Sequence, residues 1–301
     1  MKRRNFLKIG MQVLVSAWAY NLEDVLLAAG KGSWQVDVQP GQLKTGTLGL
    51  VKVHPPQSVE RIKAHFGGKN IPVFPNYSTE EWPFGCFVPI PLTMKPGRKI
   101  ITFRASANGE TLLYSHPIKI KKKEYPKEFL KVKKKYAEFP PPILKRIRSD
   151  QAAVGRACRK ITPEIYWQGP FVRPVPGRIT SPFGLRRYFN GQPRSPHSGV
   201  DFAAPVGTPV KASNRGVVAM ARDCYLSGKT LIIDHGYGLF TIYCHLSNFK
   251  ADLGDMVSKK AVVALSGKSG RITGPHLHWG VSLLGKRLDP QSLLNISSHF
   301  A

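Results

Sequence analysis

After about residue 30 the chain is dominated by short runs that alternate apolar and polar residues. Trp34-Gln35-Val36-Asp37-Val38, Gly49-Leu50-Val51-Lys52-Val53 and Lys99-Ile100-Ile101-Thr102-Phe103-Arg104 carry the two-residue period of half-buried strands. Pro55-Pro56, Gly67-Gly68, Pro96-Gly97 and Asn108-Gly109 punctuate them. Asn108-Gly109, between Phe103-Arg104-Ala105 and Leu112-Leu113-Tyr114, is a two-residue hairpin signal. Residues 31–120 therefore read as a small β-sandwich of immunoglobulin-like type. Residues 121–165 change period. Pro140-Pro141-Pro142 marks a boundary, and Ile143, Ile147, Val154, Cys158 and Ile161 then recur at helical spacings. This predicts a helical connector of about five turns with one apolar face, on which Cys158 packs. In residues 166–301 the strand signals return. Gly216–Ala221, Thr230–Asp234 and Leu239–Tyr243 are joined by short Gly-containing turns, an antiparallel meander to which Val257 and Val262–Leu265 add strands. The fold class is mostly β: a sandwich, a helical connector and a C-terminal antiparallel sheet domain.

Composition changes this picture in one respect. Forty-five Lys and Arg against 18 Asp and Glu give a net charge of +27, which predicts attraction to a polyanion without naming it. Residues 119–160 alone hold 15 basic and 4 acidic side chains. The four cysteines, 86, 158, 224 and 244, form no C-x-x-C pair and are too few for a disulfide-stapled fold. Pairing of Cys224 with Cys244 stays open. Beyond the N-terminus no uncharged stretch reaches 18 residues, so no second membrane span is expected.

Residues 1–30 read as an address. A basic start, an apolar stretch from Ile9 to Tyr20 and the small residues Ala28-Ala29-Gly30 form an export signal. Arg3-Arg4-Asn5-Phe6-Leu7-Lys8 resembles a twin-arginine signal, with Lys2 where Ser or Thr is usual. This implies a periplasmic protein, cleaved after Ala29 or, if uncut, tethered to the inner membrane. An exported protein without a nucleic-acid motif is not expected to bind nucleic acid.

The chemistry concentrates near the C-terminus, where six of the nine histidines lie in the last 105 residues. His197 and Asp201 are four apart. His276 and His278 are two apart, which in a strand puts both rings on one face. Imidazole and carboxylate are zinc ligands, and three protein ligands with an open position mark a catalytic site. His245 follows a strand and can reach the same groove. His235, before a turn, reads as structural, and His54, His65, His116 and His299 as incidental. Alternation along the strand would point Cys244 away from the groove.

These motifs, with Ala204-Pro205-x-Gly207-Thr208-Pro209-Val210, Ile233-Asp234-His235-Gly236-x-Gly238 and Ser269-Gly270-x-x-Thr273-Gly274-Pro275-His276-Leu277-His278, resemble the LytM/lysostaphin-type endopeptidases in order and spacing over roughly 110 residues. Ser181-Pro182-Phe183-Gly184-x-Arg186 and Leu288-Asp289-Pro290 also look like this family. The resemblance implies one zinc ion on His197, Asp201 and His278, with His276 as proton acceptor and His245 stabilising an oxyanion. It implies hydrolysis of peptide cross-links in peptidoglycan, D-alanyl to diaminopimelate first and glycine bridges second. Peptidoglycan is itself anionic, which suits the charge. The alternative is a non-catalytic relative that activates cell-wall amidases; the presence of all five site residues argues against it. Oligomeric state is not legible.

Overall fold

The computed structural model describes residues 33–76, 80–131 and 139–299; residues 1–30, read above as an export signal, lie outside the described residues. The N-terminal part is a two-sheet sandwich. One sheet orders Gln35–Gln39, Leu48–His54, Phe84–Pro89 and Val73–Pro75; the other orders Leu43–Lys44, Glu110–Lys121, Gly97–Ala107, Arg61–Phe66 and Lys69–Ile71. Val51, Val53, Cys86 and Val88 meet Phe66, Ile101, Phe103 and Ile118 between them. Asn108 and Gly109 both take positive φ (51° and 79°), as the tight hairpin between the two longest strands requires.

The first sheet is covered on its outer face too. Leu48, Leu50, Phe74 and Phe87 face the C-terminal domain and join its core around Trp167. Ring centroids of Phe74 and Phe87 lie 5.2 and 5.3 Å from Trp167. Burial on both faces explains the nearly unbroken apolar run Leu48–Val51.

The connector does more than link. Lys127–Leu130 adds as a parallel strand to Arg186–Phe189 of the C-terminal domain, an element the sequence reading did not separate from the connector. The expected helix, α1, spans Pro141–Ala157. Its first two residues are prolines, whose fixed φ and missing N–H suit that position.

The C-terminal sheet has the spatial order Ile179–Ser181, Val200–Ala203, His276–Leu283, Leu239–Phe249, Gly228–Asp234, Gly216–Cys224, Met256–Val257. Val200, Phe202, Leu231, Ile233, Tyr243, Trp279 and Val281 form its rear face, packed in the large core. Part of the front face, Met220, Ile232, Phe240, Ile242 and Cys244, is covered by Ala153, Val154 and Ala157 of α1. The rest of the face carries Asp201, His276 and His278, with the two imidazole rings partly exposed.

Cys244 is a core residue, as expected, but on the other face than alternation predicts: it stands opposite His278 on the front face, buried under α1. Simple alternation fails because the sheet bulges here: Lys229 pairs with Leu246 and Leu231 with Tyr243, leaving Cys244 and His245 opposite Thr230 alone. All four cysteines are free and buried.

α1 is fixed to the sheet by one buried carboxylate. Asp150 accepts from Arg222 Nε at 3.1 Å and from the Tyr225 amide at 2.9 Å. Asp150→Ala leaves these donors unpaired. It is expected to lower unfolding free energy by about 2 kcal/mol, less than for a fully buried pair because Arg222 is 43% exposed. Urea titration checks this.

Candidate metal centre

Two neighbouring strands set the site. Asp201 in Val200–Ala203 pairs directly with His278 in His276–Leu283, and Ala203 with His276. Asp201, His276 and His278 therefore share the front face, as the i, i+2 rule expects. His197 reaches in from the segment before Val200–Ala203. The three atoms meet closely: His197 Nε2 lies 3.0 Å from Asp201 Oδ1 and 3.0 Å from His278 Nδ1, and His278 Nδ1 lies 2.9 Å from Asp201 Oδ1.

The hydrogen bonds behind these rings fix which nitrogen points inward. His197 Nδ1–H donates to the Pro182 carbonyl at 2.9 Å, so its Nε2 presents a lone pair to the cluster. Burial raises the Asp201 carboxyl; with no cation bound, protonated His197 and His278 donate to it, and these hydrogen bonds and charges outweigh burial and hold Asp201 well below the usual carboxylate range. Burial, joined by the charge of His197, lowers His278 against the pull of Asp201. A carboxylate and two inward imidazole nitrogens within about 3 Å are three electron-pair donors facing one another. Such a set is satisfied by a cation between them, and two imidazoles plus one carboxylate suit zinc with a position left open.

The other two rings flank the cluster. His276 Nδ1–H donates to the Gly274 carbonyl at 2.9 Å and His245 Nδ1–H to the Ser269 carbonyl at 3.0 Å. Each thus presents a bare Nε2. Their ring centroids are 4.8 Å apart, and that of His245 is 6.1 Å from that of His278. His276 Nε2 is 3.8 Å from Asp201 Oδ1. His245 faces the groove because it occupies the bulge at φ 63°, a left-handed conformation rare for a residue with a Cβ. Burial, with the charge of His278, lowers His245 to about 4.

All five residues singled out in the sequence are thus together. His235 is apart: it is fully buried, bonded to the Arg215 carbonyl and Thr241 Oγ1. The sequence missed the carbonyls of Pro182, Gly274 and Ser269, because a backbone acceptor has no residue signature. It also missed Arg187, which donates to Ser181 Oγ at 3.2 Å and to Glu128 Oε2 at 2.9 Å, tying the connector strand to the site.

Comparison with known proteins identifies the family. The model of peptidase family M23 matches residues 195–290. A crystal structure of a putative peptidase M23 from Pseudomonas aeruginosa is 31% identical, covering 83% of this chain and 94% of that one, with a TM-score of 0.65. The chain belongs to peptidase family M23. Among curated M23 relatives, the peptidoglycan DD-endopeptidase ShyA of Vibrio cholerae is 44% identical over 36% of this chain and 26% of its own length. The DD-carboxypeptidase/endopeptidase Mpg of Neisseria meningitidis is 40% identical over 38% of this chain and 27% of its own. The chain thus spans little more than a quarter of the length of these curated relatives.

His197→Ala, Asp201→Ala and His278→Ala are each expected to reduce bound zinc from about one ion per chain to near zero, while His276→Ala retains it. Metal analysis after dialysis against buffered zinc tests the assignment.

Proposed function

We propose that this chain is a zinc endopeptidase that hydrolyses peptide cross-links of peptidoglycan, with D-alanyl to diaminopimelate as the bond cut. The observation that carries the reading is the convergence of His197, Asp201 and His278 on one point, with two further histidines each holding a bare Nε2 toward the same groove. The names of the V. cholerae and N. meningitidis relatives support the substrate.

A zinc ion on those three residues supplies Lewis acidity toward a peptide carbonyl and acidifies water. The protein's own residues then handle protons. His276, the more open ring, takes the proton of the attacking water. His245 is kept neutral by burial. With Nδ1–H committed to Ser269, its Nε2 accepts a hydrogen bond from the same water and orients it. The oxyanion role that the sequence resemblance implies for His245 would instead need Nε2 to carry a proton and donate. Export to the periplasm through the twin-arginine signal at 1–30 places the enzyme with its substrate, and the +27 charge retains it on an anionic wall.

Purified protein loaded with zinc is expected to release cross-link peptides from sacculi, read by mass spectrometry. His276→Ala and His245→Ala are each expected to lower kcat by about 10²–10⁴-fold with zinc still bound. Absence of any released peptide from the zinc-loaded parent would overturn the proposal, and full activity in His276→Ala would overturn its role.

A further inference from the structure

Beside the metal centre, a cleft of about 370 Å³ lies between the sheet and α1. Ser198, Ser227 and Ser282 line the sheet side, Gln151 and Gly155 the helix side, and Arg287 closes the end. Ser198 directly follows the metal-centre residue His197, and the main chain at Ser227 bonds the His245 amide at 2.9 Å. The cleft thus begins where the five-residue site stops.

Arg287 is the unusual group. It lies on Lys286–Leu288 opposite Ser282, at the far end of the His276–Leu283 strand. Its guanidinium folds back over Gly280, where an added Cβ would sit 3.3 Å from Nη1 and 3.6 Å from the Ser198 carbonyl. Gly280 is two residues beyond His278, so the guanidinium lies over the same face roughly 7 Å along the strand. A Cβ there would press on the guanidinium and shift it by a few tenths of an ångström. The charge acts electrostatically on Cys158, Cys244 and His278. Yet among the described residues no carboxylate and no hydrogen-bond acceptor engages it, although it is only partly exposed. Arg159, two residues past the end of α1 and packed against Gly285, also lines the cleft and has no acidic partner among the described residues either. Asp150, the acidic residue of the cleft, is already taken by Arg222 and the Tyr225 amide. A half-buried guanidinium without a partner is costly unless something supplies one, and its five donors match a carboxylate.

We infer that Arg287, seconded by Arg159, is a specificity-determining residue that takes a free carboxylate of the substrate peptide beside the scissile bond. The ligand class is a peptide bearing a carboxylate that is not consumed in a peptide bond, as in the diacid residues of cross-linked stem peptides. Amidated stems would be poorer substrates. The inference rests on the peptidase reading for the identity of that peptide, while the anion site itself rests on the cleft and the unpaired cation.

The test compares one cross-linked peptide with its free carboxylates and the same peptide with them converted to carboxamides. The zinc-loaded parent is expected to show a KM about 10- to 100-fold lower for the free acid, the range of one charge-assisted two-pronged contact. Arg287→Gln is expected to reduce that preference to below about threefold, through KM rather than kcat. Arg287→Lys, which keeps a charge but not the fork, should fall between them. An Arg287→Gln protein with the full preference, or a parent that does not distinguish acid from amide, overturns the inference. Should Arg287→Gln fail to fold, an undiminished preference in Arg287→Lys and in Arg159→Gln overturns it as well. Calorimetric binding of both peptides to zinc-loaded His276→Ala separates the two readings: Arg287-dependent preference for the acid, without hydrolysis by the parent, would sink the endopeptidase and leave the carboxylate site standing.

Discussion

Asp201 stands opposite His278 in an antiparallel pair, and the whole centre hangs from that register. A slip of one residue would turn Asp201, His276 and His278 to the rear face and bring Val200, Phe202, Leu277 and Trp279 into the groove. The rear face prevents it. Those four residues are fully buried in the large core, so the slip would expose aromatic and aliphatic surface and bury a carboxylate. Gly199 locks the pair from the side, since a Cβ there would run into the Trp279 carbonyl and the His278 ring. The core therefore positions the chemistry without touching it. By packing on the same core through Phe74, Phe87 and Trp167, the sandwich takes part in that support.

How much of this was legible depends on whether a side chain or a main-chain atom does the work. The strand period of the meander and the Asn108-Gly109 hairpin follow from sequence directly, as does the shared face of His276 and His278. The helix after Pro140-Pro141-Pro142 ends at Ala157, short of the expected Ile161, which is 52% exposed and outside the apolar stripe. What was not legible is the set of three carbonyls that orient His197, His245 and His276. Ser181-Pro182 and Ser269-Gly270 stood out only through family resemblance. Their physical reason is the path of the backbone: it delivers an acceptor to an imidazole Nδ1, whatever side chain the carbonyl belongs to.

The bulge at Cys244–His245 is the other feature that alternation could not give. Two residues facing one partner turn both side chains to the front, and His245 holds a left-handed φ at a cost of order 1–3 kcal/mol. The hydrogen bonds around it account for why the conformation persists. The His245 amide bonds the Ser227 carbonyl at 2.9 Å and its ring the Ser269 carbonyl at 3.0 Å, so main chain and side chain are both fixed from neighbouring loops. A regular strand would place His245 on the rear face, within the core, and leave the groove with a single unmetallated histidine.

The same bulge divides the front face between two solvents. On one side Cys244 joins Ile242, Phe240 and Cys158 beneath α1, an apolar surface that needs the helix over it. On the other, one residue later, His245 turns its ring toward His276 and His278. A flat, regular strand changes character only by alternating faces; the bulge lets it change along one face, from an apolar surface under the helix to a ring of the histidine cluster, within two residues. Helix and groove therefore abut, and α1 becomes a wall of the site, not a lid remote from it. The cleft containing Arg287 lies along that seam. It is the place where a charge can be half-removed from water while remaining within reach of whatever occupies the groove, which is the setting in which an unpaired guanidinium discriminates most strongly between an anion and its neutral amide.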